Sequence, residues 1–571
     1  MDLLAYMTIP IFIPLLPFLA SILIWIFGNQ MSAAQVAKTG VYASWAAALF
    51  AVWTLFYVGT QGTVQFTFWT LNYEGSSIFK VGMLVDRLSA VMMMLITSVS
   101  VVIHTYSVRY LEGDSGYARF FALLSFTTFV ILVLVSSPNL LMLFIFWQLL
   151  GWALYLLLNF NYSHPDACRN GFKSFFIHRV GDVGFLFGLF LAYKYFGTLE
   201  FTELFKAAAE NSHMVSLLPG NALEVNVISL IGLSIFVGAI AKSSQFPLHV
   251  WLPDTMDSPT PVSALMHAGI INAGGFLLNR LAPFYALSPS TLHFVFFIGV
   301  LTVLMGASIM LVQNDIKKTL GFSTMAQMGY MIMECGLGAF ALAIFHLIAH
   351  GFFKASLFLG SGTGIHTSRY EPKHPHSHEH DGDPSSSKLT WATGLVITLI
   401  MPMVILLVTH DILNIHLQNV HGAVILLFFS WVTVSQVMFS LYRLQAVASW
   451  IVALAMIGAL FVIGFAYFWA GEEFTHFLYP GPGEAEGLFL AASFPPLIFD
   501  LIILASTGLF LLGWFIAYNK VKGQKTFISD WLNSTWKRMY ILLINRFYID
   551  QIYVRWNNNI LRLAQKVAHR F

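Results

Sequence analysis

The chain has 571 residues, of which 57% are hydrophobic and only 10% charged, against roughly 25% charged in an average soluble domain. That ratio excludes an ordinary water-soluble protein, and 29 Lys plus Arg against 27 Asp plus Glu, a formal charge of +2, is too balanced and sparse to mark a nucleic-acid binder. The only two cysteines, Cys168 and Cys335, stand in no CxxC or metal-ligand spacing, which excludes iron–sulfur clusters and argues against a structural disulfide.

Apolar segments fall near residues 9–28, 38–59, 83–106, 118–137, 139–160, 172–196, 226–246, 258–282, 292–313, 318–336, 338–362, 389–409, 420–442, 446–470 and 498–518. At roughly 20 residues each, about 15 spans consume about 300 residues and leave no room for a large soluble domain. The expected fold is therefore an all-α polytopic membrane protein of about 15 transmembrane helices. Asp2 and the absence of a basic stretch before the first segment read as a retained span, not a cleaved signal. Residues 1–110 form the N-terminal helices, 118–282 and 292–443 two central blocks, 446–518 the C-terminal helices and 519–571 a tail.

Arg109, Arg119, Arg169, Lys173, Lys317, Lys318, Arg369, Lys373 and Lys388 fall on alternate loops that share a face with the basic tail. The opposite loops carry Glu200, Glu203, Glu210, Glu472, Glu473, Glu484 and Glu486. By the positive-inside rule the N-terminus lies outside and the C-terminus in the cytoplasm. The cytoplasmic loop 363–388 is polar, and His374, His376, His378 and His380 are weak candidates for a metal; the alternative is a solvated linker. The tail 526–571 mixes aromatic and aliphatic residues with Arg and Lys at helical spacing, which suits a helix on a membrane surface or on a partner.

A charge in a bilayer core costs several kcal/mol, so ionisable residues inside apolar spans point to function. Lys242 lies close to Pro247, where a missing amide donor and a ring clash predict a broken helix. Broken helices at mid-membrane depth line ion sites in transporters, and a lysine there can accept and release a proton as arginine cannot; the alternative is that Lys242 snorkels to the surface. His267 follows one span later, as a proton carrier or a satisfied core histidine. His346, His350 and Lys354 stand at i, i+4 and i+8, on one helix face, which suits a proton wire; a haem or metal reading finds no matching ligand pair. Asp182, beside His178 and Arg179, is either a local ion-pair partner or the counter-charge for Lys242. Lys317 and Lys318 stand at a span entrance, as interfacial anchors or as a proton feed.

AKSSQFPLHVWLPDTMDSPTPVSALMHA, YARFFALLSF, HRVGDVGF, QNDIKKTLGFSTMAQMGYM and FHLIAHGFFKASLFL together resemble the antiporter-like membrane subunits of respiratory complex I (the NuoL/NdhF type) and of multisubunit sodium/proton antiporters, over roughly residues 80–365. The resemblance implies two inverted five-helix repeats, 118–282 and 292–443, each with a broken helix, and proton movement along a mid-membrane row. By motif Lys242 is similar to the family's central lysine, Asp182 to its acidic residue, His267 to its bridging histidine, and Lys317 and Lys354 to the lysines of the second half. The chain departs at FIFWQLLGW, where Gln148 stands at the family's usual glutamate. The family's exit lysine is also unmatched, with His410 and Asp411 near its place, and the long lateral helix is missing.

With MHAGIINAGGFLLNRLAPFY, those omissions make the chain more similar to the membrane subunit (DabB) of DAB inorganic-carbon accumulation complexes. That resemblance implies a cytoplasmic zinc protein of β-carbonic-anhydrase type (DabA) as partner, no cofactor in this chain, and zinc in the partner. Arg369, Lys373, Lys537, Arg538 and Arg546 are then candidate docking residues. The expectation is a proton- or sodium-conducting, non-catalytic subunit of a cell inner membrane, energising its partner. The alternative is a pumping subunit of complex I or of a sodium/proton antiporter with other membrane subunits as partners; a haem enzyme and a passive scaffold are readings from other classes.

Overall fold

The computed structural model describes residues 2–370 apart from 74–75, 212 and 217–223, most of 469–508, residues 538–568 and isolated positions between 400 and 465. Expected spans 389–409, 420–442 and most of 446–470 lie outside the described residues, as do Lys373, His374, His376, His378, His380, His410, Asp411 and Lys537. Among the described residues nine helices are long and apolar enough to cross a membrane, and a shorter apolar helix, Val227–Lys242, joins them. The chain divides into two compact units: Met1–Gly336 with Ala343–Ile365 and Tyr540–Phe571, and Leu337–Leu342 with His366–Met539.

In the first unit α1 (Asp2–Phe27) and α2 (Ala33–Gln61) come first, and α2 starts on a capping box in which Ser32 and Gln35 satisfy each other's backbone. An antiparallel hairpin, β1 (Val64–Tyr73) and β2 (Ser76–Val85), follows. The all-α expectation missed it, because the alternating QFTFWT run fits a pleated surface and was counted as loop and span. The next helix, α3 (Arg87–Tyr110), therefore begins later than the expected residue 83.

Asp86 caps α3 by accepting from Ser89 N at 2.8 Å, and Arg280 pairs with the same carboxylate at 2.5 Å. α4 (Tyr117–Val135), α5 (Leu140–Leu158, capped by Asn139) and α6 (Pro165–Phe196) complete the wall around the site. After the short α7 (Phe201–Glu210) and a small hairpin, β3 (Met214–Ser216) and β4 (Glu224–Asn226), comes α8 (Val227–Lys242).

The break predicted near Pro247 is present. α8 stops at Lys242, and helix resumes only as a 3₁₀ turn over Leu252–Asp257 and then α9 (Thr260–Ala268). Side chains satisfy the freed backbone groups: Trp251 donates its indole N–H to Ala241 O at 2.9 Å, and Thr302 accepts from Phe246 N at 3.0 Å. The following span, expected over 258–282, is one crossing, Thr260–Arg280, within which α9 passes at Gly269 into a 3₁₀ turn, Ile270–Asn272, before α10 (Ala273–Arg280). Ser243 ties the break after α8 to this turn, donating to Ile271 O at 2.6 Å and accepting from Gly274 N at 3.1 Å. Gly274 is needed there, since a Cβ would lie 2.8 Å from Ala239 O. The unit continues through α11 (Ala282–Ala286), α12 (Pro289–Met310) and α13 (Ile316–Gly336). Later helices are α14 (Phe340–Tyr370), α15 (Glu484–Ala491) and α16 (Ile549–Ala568).

Candidate functional site

The break places Lys242 in the last turn of α8 with 1% of its surface exposed. Its ammonium does not snorkel. It donates to Trp147 O of α5 at 3.1 Å and lies 5.3 Å from the centre of the Trp147 ring. The Trp147 indole N–H donates to Asp182 Oδ1 of α6 at 2.8 Å, and Asp182 Oδ2 lies 2.9 Å from the Arg179 guanidinium. Gln148 accepts a hydrogen bond from the same guanidinium. Asp182 is thus the direct partner of Arg179 and acts on Lys242 through space and through Trp147. Among the described residues no carboxylate forms an ion pair with Lys242. Gly151 makes room for the two cations: a Cβ there would overlap Arg179 and lie 3.2 Å from Lys242 Nζ.

The next span carries His267 at the end of α9, fully buried and, among the described residues, without a hydrogen-bond partner on either ring nitrogen. Its ring stacks on Phe358 of α14 at 4.2 Å. α14 brings His346, His350 and Lys354 onto one side as the spacing predicts. The two imidazole centres are 6.4 Å apart, and Lys354 donates to Ser323 Oγ at 2.7 Å. Lys354 is 1% exposed and, like Lys242, has no ion-pair partner among the described residues. His346 lies 3.2 Å from Glu334 Oε2 and 2.8 Å from Gln327 Oε1. A cavity of about 480 Å³ is lined by the polar Ser323, Gln327, His346, His350 and Lys354 and by the apolar Ala349 and Phe353, and has room for several water molecules. Glu334, 1% exposed, escaped the sequence reading, because one carboxylate in a Met-rich helix carries no spacing signal. Among the described residues no group of three or more His, Cys, Asp and Glu is placed to hold a metal. Lys317 stands apart from this row, at the first turn of α13, where it donates to Met256 O at 3.4 Å.

One end of the first unit is closed by four charges from three distant segments. Lys173 pairs with Asp254 and Asp550 at 2.7 Å each, and Arg546 pairs with Asp254 at 2.7 Å and with Asp550 at 3.2 Å. Tyr553 donates to Pro247 O at 3.0 Å, so the tail is tied to the break itself. Arg546, expected as a docking residue, is spent in this clasp; Arg538 is exposed, and Arg369 lies in the last turns of α14. The clasp also holds Arg546, Phe547 and Tyr548 at φ of 52°, 55° and 57°, a left-handed turn that costs about 1–2 kcal/mol per residue. We therefore expect Arg546→Ala to release residues 540–553, seen as faster proteolytic trimming of the tail in membrane vesicles; unchanged trimming would show the clasp to be idle. Burial works to raise the Asp254 pKa, but Lys173 and Arg546 outweigh it and hold it below the ordinary value of 3.8. A carboxylate depressed on folding stabilises above its unfolded pKa, so the clasp persists down to pH 3.8 and weakens as pH falls further.

Residues 137–375 match the family described as NADH:quinone oxidoreductase/Mrp antiporter, TM, and residues 71–121 match the N-terminus of complex I chain 5. The chain is 37% identical over 559 residues to a protein of Halothiobacillus neapolitanus named "Probable inorganic carbon transporter subunit DabB1", covering 97% of both chains. It is 42% identical over 347 residues to subunit 5 of the chloroplast NAD(P)H-quinone oxidoreductase of Lotus japonicus, covering 61% of this chain and 43% of that one. To NADH-quinone oxidoreductase subunit L of Neisseria meningitidis it is 37% identical over 398 residues, covering 68% of this chain and 58% of that one. It thus spans about half the length of those two oxidoreductase subunits. The Mrp complex of Dietzia sp. DQ12-45-1b shares the fold at a TM-score of 0.56 and 21% identity, over 97% of this chain and 60% of that one. A polytopic helical bundle, a broken helix ending in a buried lysine, a buried histidine in the next span, and these likenesses agree: the chain belongs to the antiporter-like membrane-subunit family that includes DabB and the complex I and Mrp subunits.

Proposed function

We propose that this chain conducts protons across the membrane through Lys242, His267, Lys354, His350 and His346, and that the downhill flux drives a cytoplasmic partner of carbonic-anhydrase type that accumulates inorganic carbon as bicarbonate. One observation carries the conducting role: Lys242 and Lys354 are each 1% exposed and, among the described residues, neither has a carboxylate paired to it. An ammonium buried without its own counter-ion is strongly destabilising. Its retention is explained if the charge comes and goes with a proton. Asp182 and Arg179 set the field at Lys242, and the cavity beside His346 has room for water as the mobile carrier. His410 and Asp411 are the proposed far end of the path.

The likeness to DabB1, at 37% identity along 97% of both chains, supports the inorganic-carbon reading. Catalysis and zinc belong to the partner, and this chain needs no cofactor. The end of the bundle with Lys173, Lys317 and the tail faces the cytoplasm, which accords with the positive-inside rule. Arg369, Lys373, Lys537 and Arg538 are the proposed docking residues for the partner. The test is uptake of radiolabelled inorganic carbon by cells expressing this chain with its partner. A protonophore is expected to stop accumulation at once, and sodium depletion to leave it intact. Accumulation that survives the protonophore but needs sodium would replace the proton with sodium, and survival of both would overturn the reading.

A further inference from the structure

His178 is a buried titratable group that the pathway above does not use. It lies on α6 one turn before Asp182, is 1% exposed, and has no hydrogen-bond partner on either ring nitrogen among the described residues. Its ring sits edge-on to Trp251 at 4.6 Å, inside the break between α8 and α9, within electrostatic reach of Lys242 and Arg179. Buried polar groups nearly always have a partner, so two orphaned nitrogens on one ring mark a place for water or an exchanging proton. Along α6 the order is Lys173 in the charge clasp, then His178, then Asp182; at 1.5 Å per residue the nine positions from 173 to 182 rise about 13 Å. His249, 2% exposed with an unpartnered Nδ1, lies on the clasp side of the same break.

We propose that His178 relays protons, through bound water, between Lys242 and the clasp end of the bundle. The proposal rests on the conducting role of Lys242. The ring nitrogen on the clasp side takes a proton from water, giving an imidazolium; the opposite N–H then passes its proton through water to the lone pair of neutral Lys242 Nζ, and the neutral ring resets by rotating. Repulsion keeps His178 and Lys242 from holding their extra protons together, so the two alternate. The reverse sequence serves flux in the other direction.

The experiment measures proton flux with a pH-sensitive dye in inverted membrane vesicles that contain the full chain with its partner. His178→Ala and His178→Gln are each expected to slow flux by about tenfold or more at unchanged protein abundance. Added imidazole is expected to restore flux to His178→Ala, in proportion to its concentration, but not to Lys242→Ala. Wild-type flux in both histidine variants, while Lys242→Ala is inactive, would overturn the relay and leave the conducting role standing. Slowed flux without imidazole rescue would make His178 a packing residue, and full flux in Lys242→Ala would remove both claims together.

Discussion

Replacing Lys242 with alanine in cells that depend on the system abolishes growth in air-level carbon dioxide while the chain stays at its normal level in the membrane. The reason lies in what the side chain does for stability and for transport. Its ammonium has one carbonyl and one ring face as partners, and with no ion-pair partner among the described residues its removal leaves no other charge unpaired. A methyl group there cannot carry a proton. Growth at the wild-type rate with normal abundance would mean that Lys242 is a packing residue. Reduced abundance is not expected, because Trp251 and Ser243 hold the break without it.

Asp182→Asn has a larger structural cost and an equally large functional one. An asparagine can keep the hydrogen bond from Trp147, but the charge that offsets Arg179 is gone, and two cations then face each other across Gly151. Breaking a buried pair in this way costs about 3–5 kcal/mol, read as a lower melting temperature of the detergent-solubilised complex, and growth in air is lost. Gln148 already accepts from Arg179. Gln148→Glu therefore supplies a second carboxylate at the same guanidinium, and the double variant is expected to recover part of both losses. Such coupling between neighbours is typically 0.5–3 kcal/mol. Strictly additive losses in the double variant would show that the two positions do not share one cation, contrary to the geometry.

Much of this site was legible in the sequence because the chemistry is improbable in its setting. Lys242 beside Pro247, and His346, His350 and Lys354 at four-residue spacing, are conspicuous in apolar helices, and the structure buries Lys242, His350 and Lys354 and leaves His346 partly exposed. The break near Pro247 followed from the covalent chemistry of proline. What stayed hidden depends on contacts between distant segments. The clasp joins Lys173 to Asp550 across 377 positions and Arg546 to Asp254 across 292, and no periodicity reports such pairs. Arg546 read as a free docking cation for that reason. The 3₁₀ turn after Gly269 leaves the span intact and has no proline to announce it. The hairpin over 64–85 was missed because short apolar runs fit either a strand or the edge of a helix. Asp182 stood between two roles until the position of Arg179 showed which group it touches.

The account depends on a proton leaving and rejoining Lys242, and Lys242→Arg separates that from mere charge. Arginine keeps a cation in the pocket but does not release its proton at physiological pH. The deciding measurement is proton flux in vesicles containing the complete complex, with wild type, Lys242→Arg and Lys242→Ala compared at equal abundance and equal melting temperature. Flux in the wild type alone is the predicted result. Flux through Lys242→Arg at the wild-type rate would contradict the claim that this lysine exchanges a proton.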